Sequence, residues 1–108
     1  MTESLRKLYE VVEDRKAHPQ EGSYTCYLFS QGLDKICKKV GEESAEVIIA
    51  AKNGENTETV GEICDLLYHL VVLMAQQGIS PDEIEELLSA RAQKIGNLKK
   101  KHESDPNS

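Results

Sequence analysis

A chain of 108 residues has room for one domain, and its 19 acidic against 13 basic side chains leave a formal charge of −6. That balance excludes nucleic-acid binding through a broadly basic surface, and a small anionic substrate would need local cations or metal ions. A domain this small leaves a large fraction of its surface exposed, so a homodimer or larger assembly is expected.

Leu5, Leu8, Val11 and Val12 recur at helical spacing behind Ser4, a candidate N-cap, and predict a first helix ending near Lys16. Pro19, Gly22, Ser23 and Thr25 then predict a loop from Ala17 to Thr25. Tyr27 to Phe29 predict a short helical turn stopped by Gly32. From Leu33 to Lys52 one stripe carries Leu33, Ile36, Val40, Val47 and Ala51, with Asn53-Gly54 as the stop. Thr57 is the expected cap of the next helix, which runs to Gln77 before Gly78; it is apolar almost all round and so predicted to be central and buried. Ser80, Pro81 and Glu83 spell a capping box for a last helix that should turn Ile84, Leu87, Leu88 and Ile95 inward. From Lys99 the chain is polar and aperiodic and contains Pro106. The expected organisation is a single all-α domain over residues 1–98, a bundle of four to five helices, followed by a disordered tail, 99–108.

Cys26, Cys37 and Cys64 are odd in number and follow no C-x-x-C pattern, which predicts reduced core thiols rather than a disulfide framework. No signal-peptide-like apolar stretch precedes Asp14, and the longest apolar run, Leu70–Ala75, is far too short to span a bilayer. The expectation is a cytoplasmic protein with no membrane partner.

Acidic side chains on helices are ordinarily solvated surface. At about 100° per residue, however, Glu43 falls inside the stripe of Ile36, Val40 and Val47 and should face the core, with Glu46 on its flank. Glu62 and Asp65 repeat the three-residue spacing on the following helix, so each helix offers a carboxylate pair. Carboxylates gathered inside a bundle repel one another unless a cation joins them. An all-oxygen donor set suits Mg²⁺, with Mn²⁺ as a substitute, whereas zinc sites recruit His or Cys. Magnesium tends to complete its shell with substrate phosphates, which points to a phosphorylated substrate. Lys35, Lys38, Lys39 and Lys52 on the same helix, and Arg15 and Lys16 before the loop, are the nearby cations, Lys39 being the one aimed at the same edge. Glu42 points about 100° from Glu43 and either reaches a second ion or water or forms a salt bridge at the rim. His69, one turn past Asp65, is either a hydrogen-bonded partner of the ligands or purely structural. His18 and His102 receive no role, and Cys64 projects to another face than Asp65.

The segments Asp14-Arg15-Lys16, Gly22-Ser23-Tyr24-Thr25, Leu28-Phe29, Lys35-Ile36, Lys38 to Glu43, Glu46, and Glu62 through Asp65 to Tyr68-His69-Leu70 resemble the phosphoribosyl-ATP pyrophosphatase family. The resemblance covers about residues 5–95. The E-E-x-x-E and E-x-x-D pattern is shared by the all-α, MazG-like nucleotide pyrophosphohydrolases at large. The D-R-K, G-S-Y-T and Y-H-L segments resemble the histidine-biosynthesis branch. The resemblance implies hydrolysis of 1-(5-phosphoribosyl)-ATP to 1-(5-phosphoribosyl)-AMP and pyrophosphate, and a dimer of packed helices. It gives Glu43, Glu46, Glu62 and Asp65 the metal and Arg15, Lys16, Lys35 and Lys39, with Ser23, Tyr24 and Thr25, the substrate. The rival enzymatic expectation is a house-cleaning nucleoside triphosphate pyrophosphatase; the rival non-enzymatic one is a helical module whose acidic stripe binds a basic partner.

Overall fold

The computed structural model describes residues 1–98, among which five helices and no strand occur: α1 Glu3–Ala17, α2 Tyr24–Gln31, α3 Leu33–Asn53, α4 Asn56–Gln77 and α5 Pro81–Leu98. The all-α bundle expected from the sequence is the fold observed. The expected tail, 99–108, lies outside the described residues.

Helix ends explain most boundaries. The N-cap of α1 is Thr2 rather than Ser4, its hydroxyl accepting from the Leu5 N–H at 3.3 Å. The predicted loop ends sooner than expected, because Ser23 caps a full helix whose first turn contains Tyr24 and Thr25, accepting from Cys26 N–H at 3.2 Å. Thr57 is not a cap; Glu55 occupies that position without a side-chain bond, and Thr57 lies in the first turn of α4. Gly54 and Gly78 stop α3 and α4 in the left-handed region, at φ 76° and 72°, and Ile79 N–H bonds back to the Met74 carbonyl at 2.8 Å. The predicted capping box of α5 is present in both directions, Ser80 N–H to Glu83 Oε2 at 2.7 Å and Glu83 N–H to Ser80 Oγ at 3.2 Å.

The short Gly54–Glu55 connection folds α3 and α4 into a hairpin that packs along its length, with α1 against α4 and α2 laid over both. Val12, Leu28, Ile36 and Val72, one from each of these four helices, are the largest fully buried side chains. Each contributes about 1.5–3 kcal/mol by leaving water. On α3 the buried seam is Ile36, Glu43 and Ala50, a seven-residue repeat facing α4. The expected stripe is thus corrected at its ends: Leu33 is exposed, and Ala50 rather than Ala51 turns inward.

Two larger expectations hold only in part. Helix α4 is buried only in its second half, at His69, Val71, Val72, Met74 and Ala75; Val60, Ile63 and Leu67 face solvent. Helix α5 is anchored at its start by buried Pro81, by Ile84 against the core, and by ion pairs Arg6–Asp82 at 2.7 Å and Met1 amine–Glu85. Beyond that its Leu87, Leu88 and Ile95 are more than half exposed instead of turned inward. The cysteines are free, as expected, but not core thiols: Cys37 and Cys64 are exposed, and half-buried Cys26 accepts from Gln20 N–H at 3.3 Å and donates to the Arg15 carbonyl at 3.4 Å.

Candidate active site

The α3–α4 hairpin brings the four predicted carboxylates together. One oxygen each of Glu43, Glu62 and Asp65 lies within 4.8 Å of the others. Glu46 lies beside them, close enough to raise the titration of both Glu43 and Glu62. Glu43 is 7% exposed, the position its seven-residue register with Ile36 and Ala50 demands. Glu62 is half-buried, while Glu46 and Asp65 open to solvent.

The electrostatics record an unsatisfied centre. Burial pushes the Glu43 carboxyl above its ordinary range, helped by the hydrogen bond and charge of Glu46 and opposed by His69 and Lys39. Glu62 is raised too, first by its hydrogen bond with Glu46, then by desolvation and by the charges of Glu46, Asp65 and Glu43. A carboxyl–carboxylate bond with Glu46 needs a shared proton. When all are ionised, Glu43 Oε2 and Glu62 Oε2 are buried acceptors with no donor. Two orphaned oxygens in a converging set of hard donors fit an oxygen-seeking divalent cation such as Mg²⁺ or Mn²⁺.

Among the described residues, Lys39 is the cation paired with this edge. Lys39 Nζ lies 3.6 Å from Glu43 and 3.8 Å from Glu42, so Glu42, exposed, stands as a rim salt-bridge partner, one of its two expected roles. Burial pulls the Lys39 ammonium down, but Tyr24, Glu42 and Glu43 together more than offset this and hold it protonated to higher pH than usual. The other predicted cations lie elsewhere. Lys16 Nζ donates to the Ala75 carbonyl at 2.8 Å and sits beside the Phe29 ring, about 15 Å along α4 from Asp65 by helical rise. Arg15 pairs with Asp14 at 3.1 Å, and Lys35 lies 5.9 Å from the centre of the Tyr27 ring.

The first turn of α2 is fastened to α4 beside the carboxylates. Thr25 Oγ1 hydrogen-bonds Tyr68 Oη, and Tyr24 Oη lies 3.1 Å from His69 Nε2. Tyr24 also stacks on Tyr27 and Tyr68, each centroid at 6.2 Å. Ser23 is occupied as the helix cap. Tyr68 had been assigned no role in the sequence; its place three residues after Asp65, on one helical face with it, was the available signal. Tyr24 and Tyr27 also line an open concavity of about 590 Å³ together with Pro19, Gln20, Cys26 and Ser30.

Together the helical bundle and the converging carboxylates define an all-α protein with an acidic centre on a helical hairpin. Comparison with known proteins narrows this class. Residues 5–92 match the phosphoribosyl-ATP pyrophosphohydrolase family, and the chain belongs to that family. Relatives called phosphoribosyl-ATP pyrophosphatase include one from Clostridium botulinum, 57% identical over 95 residues, covering 88% of this chain and 86% of the relative. One from Pelotomaculum thermopropionicum is 57% identical over 90 residues, 83% of this chain and 92% of its own. One from Lactiplantibacillus plantarum is 50% identical over 101 residues, 94% and 95% of the two chains.

Proposed function

We propose that this chain hydrolyses 1-(5-phosphoribosyl)-ATP to 1-(5-phosphoribosyl)-AMP and pyrophosphate, in the second step of histidine biosynthesis, and that the reaction requires Mg²⁺. Family membership and the names of its relatives support the substrate. The observation that carries the chemistry is the set of three carboxylate oxygens within 4.8 Å, two of these side chains keeping a buried oxygen without a donor.

Glu43, Glu46, Glu62 and Asp65 would hold the cation. Mg²⁺, when bound, supplies Lewis acidity toward phosphate oxygens and toward water. The residues themselves bind and orient. Lys39, close to Glu42 and Glu43, has an ammonium within reach of a phosphate entering at that edge, where a charge-assisted hydrogen bond replaces an exposed ion pair. Glu46 and Asp65, the exposed members, are the carboxylates that water reaches. Water adds to the α phosphorus, the bond from that phosphorus to the α–β bridging oxygen breaks, its electron pair leaves with pyrophosphate, and the proton of the water passes to solvent. Arg15, Lys35, Ser23, Tyr24 and Thr25 are the proposed contacts for the rest of the nucleotide; Lys16, held at the far end of α4, would have to leave the Ala75 carbonyl to join them.

The chain is further proposed to work in the cytoplasm as a homodimer, the second copy covering the apolar side chains that α3, α4 and α5 leave exposed. No single helix among the described residues is long and apolar enough to cross a membrane.

The deciding assay measures pyrophosphate release from phosphoribosyl-ATP, dUTP, dCTP and ATP with and without Mg²⁺. Turnover of phosphoribosyl-ATP only with the metal is expected. Activity confined to a deoxynucleotide would overturn the pathway assignment, and metal-independent turnover would overturn the role of the carboxylates.

A further inference from the structure

His69 is 5% exposed and has both ring nitrogens engaged: Nδ1 lies 2.7 Å from the Asp65 carbonyl oxygen and Nε2 3.1 Å from Tyr24 Oη. A carbonyl oxygen can only accept, so Nδ1 carries the hydrogen. In the neutral ring Nε2 is then an acceptor and the Tyr24 hydroxyl must donate to it. This fixes the direction of the whole relay, from the Tyr24 O–H to His69 and from His69 N–H to Asp65. The His69 ring is held at right angles to both Tyr24 and Tyr68, which leaves it little freedom to turn.

We infer that Tyr24 and His69 act as one positioning unit, which ties the first turn of α2, with its proposed nucleotide contacts, to the Asp65 turn of α4. The inference rests on the proposed hydrolysis for its kinetic readout, and it assigns work to two residues that touch neither metal nor reacting phosphorus. Tyr24 is the link because its hydroxyl reaches the buried ring from the first turn of α2. Binding of the nucleotide would therefore depend on this pair, whereas binding of the cation itself would not. Thr25–Tyr68 is a second fastening of the same turn, so removal of the Tyr24 hydroxyl loosens the turn without releasing α2.

The test is a double-mutant cycle of Tyr24→Phe and His69→Asn. Phenylalanine keeps the ring stacked and deletes only the hydroxyl; asparagine retains a donor for the Asp65 carbonyl but cannot reach Tyr24. Each variant should raise KM about tenfold, the worth of one hydrogen bond, with kcat nearly intact. The double variant should be no worse than the poorer single one. Mn²⁺ affinity, read by electron paramagnetic resonance, should stay within about twofold of wild type, the margin of independent sites. Additive losses, or a KM unchanged in Tyr24→Phe, would overturn the unit. A fall in Mn²⁺ affinity in both variants would also overturn it, by assigning the pair to the cation instead. Tyr24 is half-exposed, so its phenylalanine variant tests the idea even if His69→Asn fails to fold. Wild-type enzyme inactive on phosphoribosyl-ATP would refute the substrate assignment alone; the cycle is then run on the nucleotide that is turned over.

Discussion

Glu43 and Glu62 each keep a buried oxygen without a donor, and both titrate above the ordinary carboxylate range, Glu43 chiefly through burial and Glu62 chiefly through Glu46. In the folded, metal-free chain they bind protons that the unfolded chain has already released. Their stabilising contribution is therefore complete below the unfolded carboxylate pKa and is lost as pH rises through the raised folded values. Glu43→Gln removes one of these charges. The melting temperature of metal-free wild type, measured against that variant, should fall as pH rises above about 4, the ordinary carboxylate value, and Mg²⁺ should recover more of the difference at pH 8 than at pH 5. A difference that does not vary with pH would show that Glu43 ionises without cost. In turnover, Glu43→Gln and Asp65→Asn should each lose at least the roughly hundredfold that outer partners of a metal site can account for, with helicity unchanged by circular dichroism. A near-wild-type rate in either would remove that residue from the cation centre. The inward aim of Glu43 could be read in the chain because it shares a helical register with Ile36, and helical period is local information. The bond from Tyr24 to His69 could not, since 45 residues separate them and only tertiary packing sets their approach.

Among the elements that flank the carboxylates, α2 is held by few anchors. It buries one side chain completely, Leu28, and is otherwise held by its Ser23 cap and the Tyr24 and Thr25 bonds to α4. Leu28→Ala should cost about 2–5 kcal/mol in denaturant unfolding. It should also raise KM for the nucleotide more than it lowers kcat, since α2 carries contacts rather than carboxylates. A stability loss with KM unchanged would detach α2 from substrate binding. Boundaries set by glycine or by a reciprocal cap, at Gly54, Gly78 and Ser80–Glu83, were legible because those residues permit few alternatives. The start of α2 was not: serine and threonine after a glycine serve loops and helix caps equally well, and the choice is made by Leu28 reaching the core. The inward face expected of α5 fails for another reason. Periodicity identifies the side of a helix that seeks an apolar partner, but not whether this chain provides one.

Across the whole molecule that missing partner becomes a property of shape. The Cα radius of gyration is 16.6 Å, against about 13 Å for a compact domain of 100 residues. Ile48 and Ile49 on α3, Val60, Ile63 and Leu67 on α4, and Leu87, Leu88 and Ile95 on α5 are all left in water. Sedimentation equilibrium should find a homodimer at micromolar concentration. Leu87→Glu and Ile95→Glu together should shift it toward monomer, and a monodisperse wild-type monomer would exclude the expected assembly. The outward apolar side of α5 then bears on how the enzyme is handled. If subunits complete each other's core, folding free energy is shared with association and follows mass action. The melting temperature should climb with protein concentration, and specific activity should decline on dilution toward the dissociation constant, recovering when inert copies of the same chain are added back.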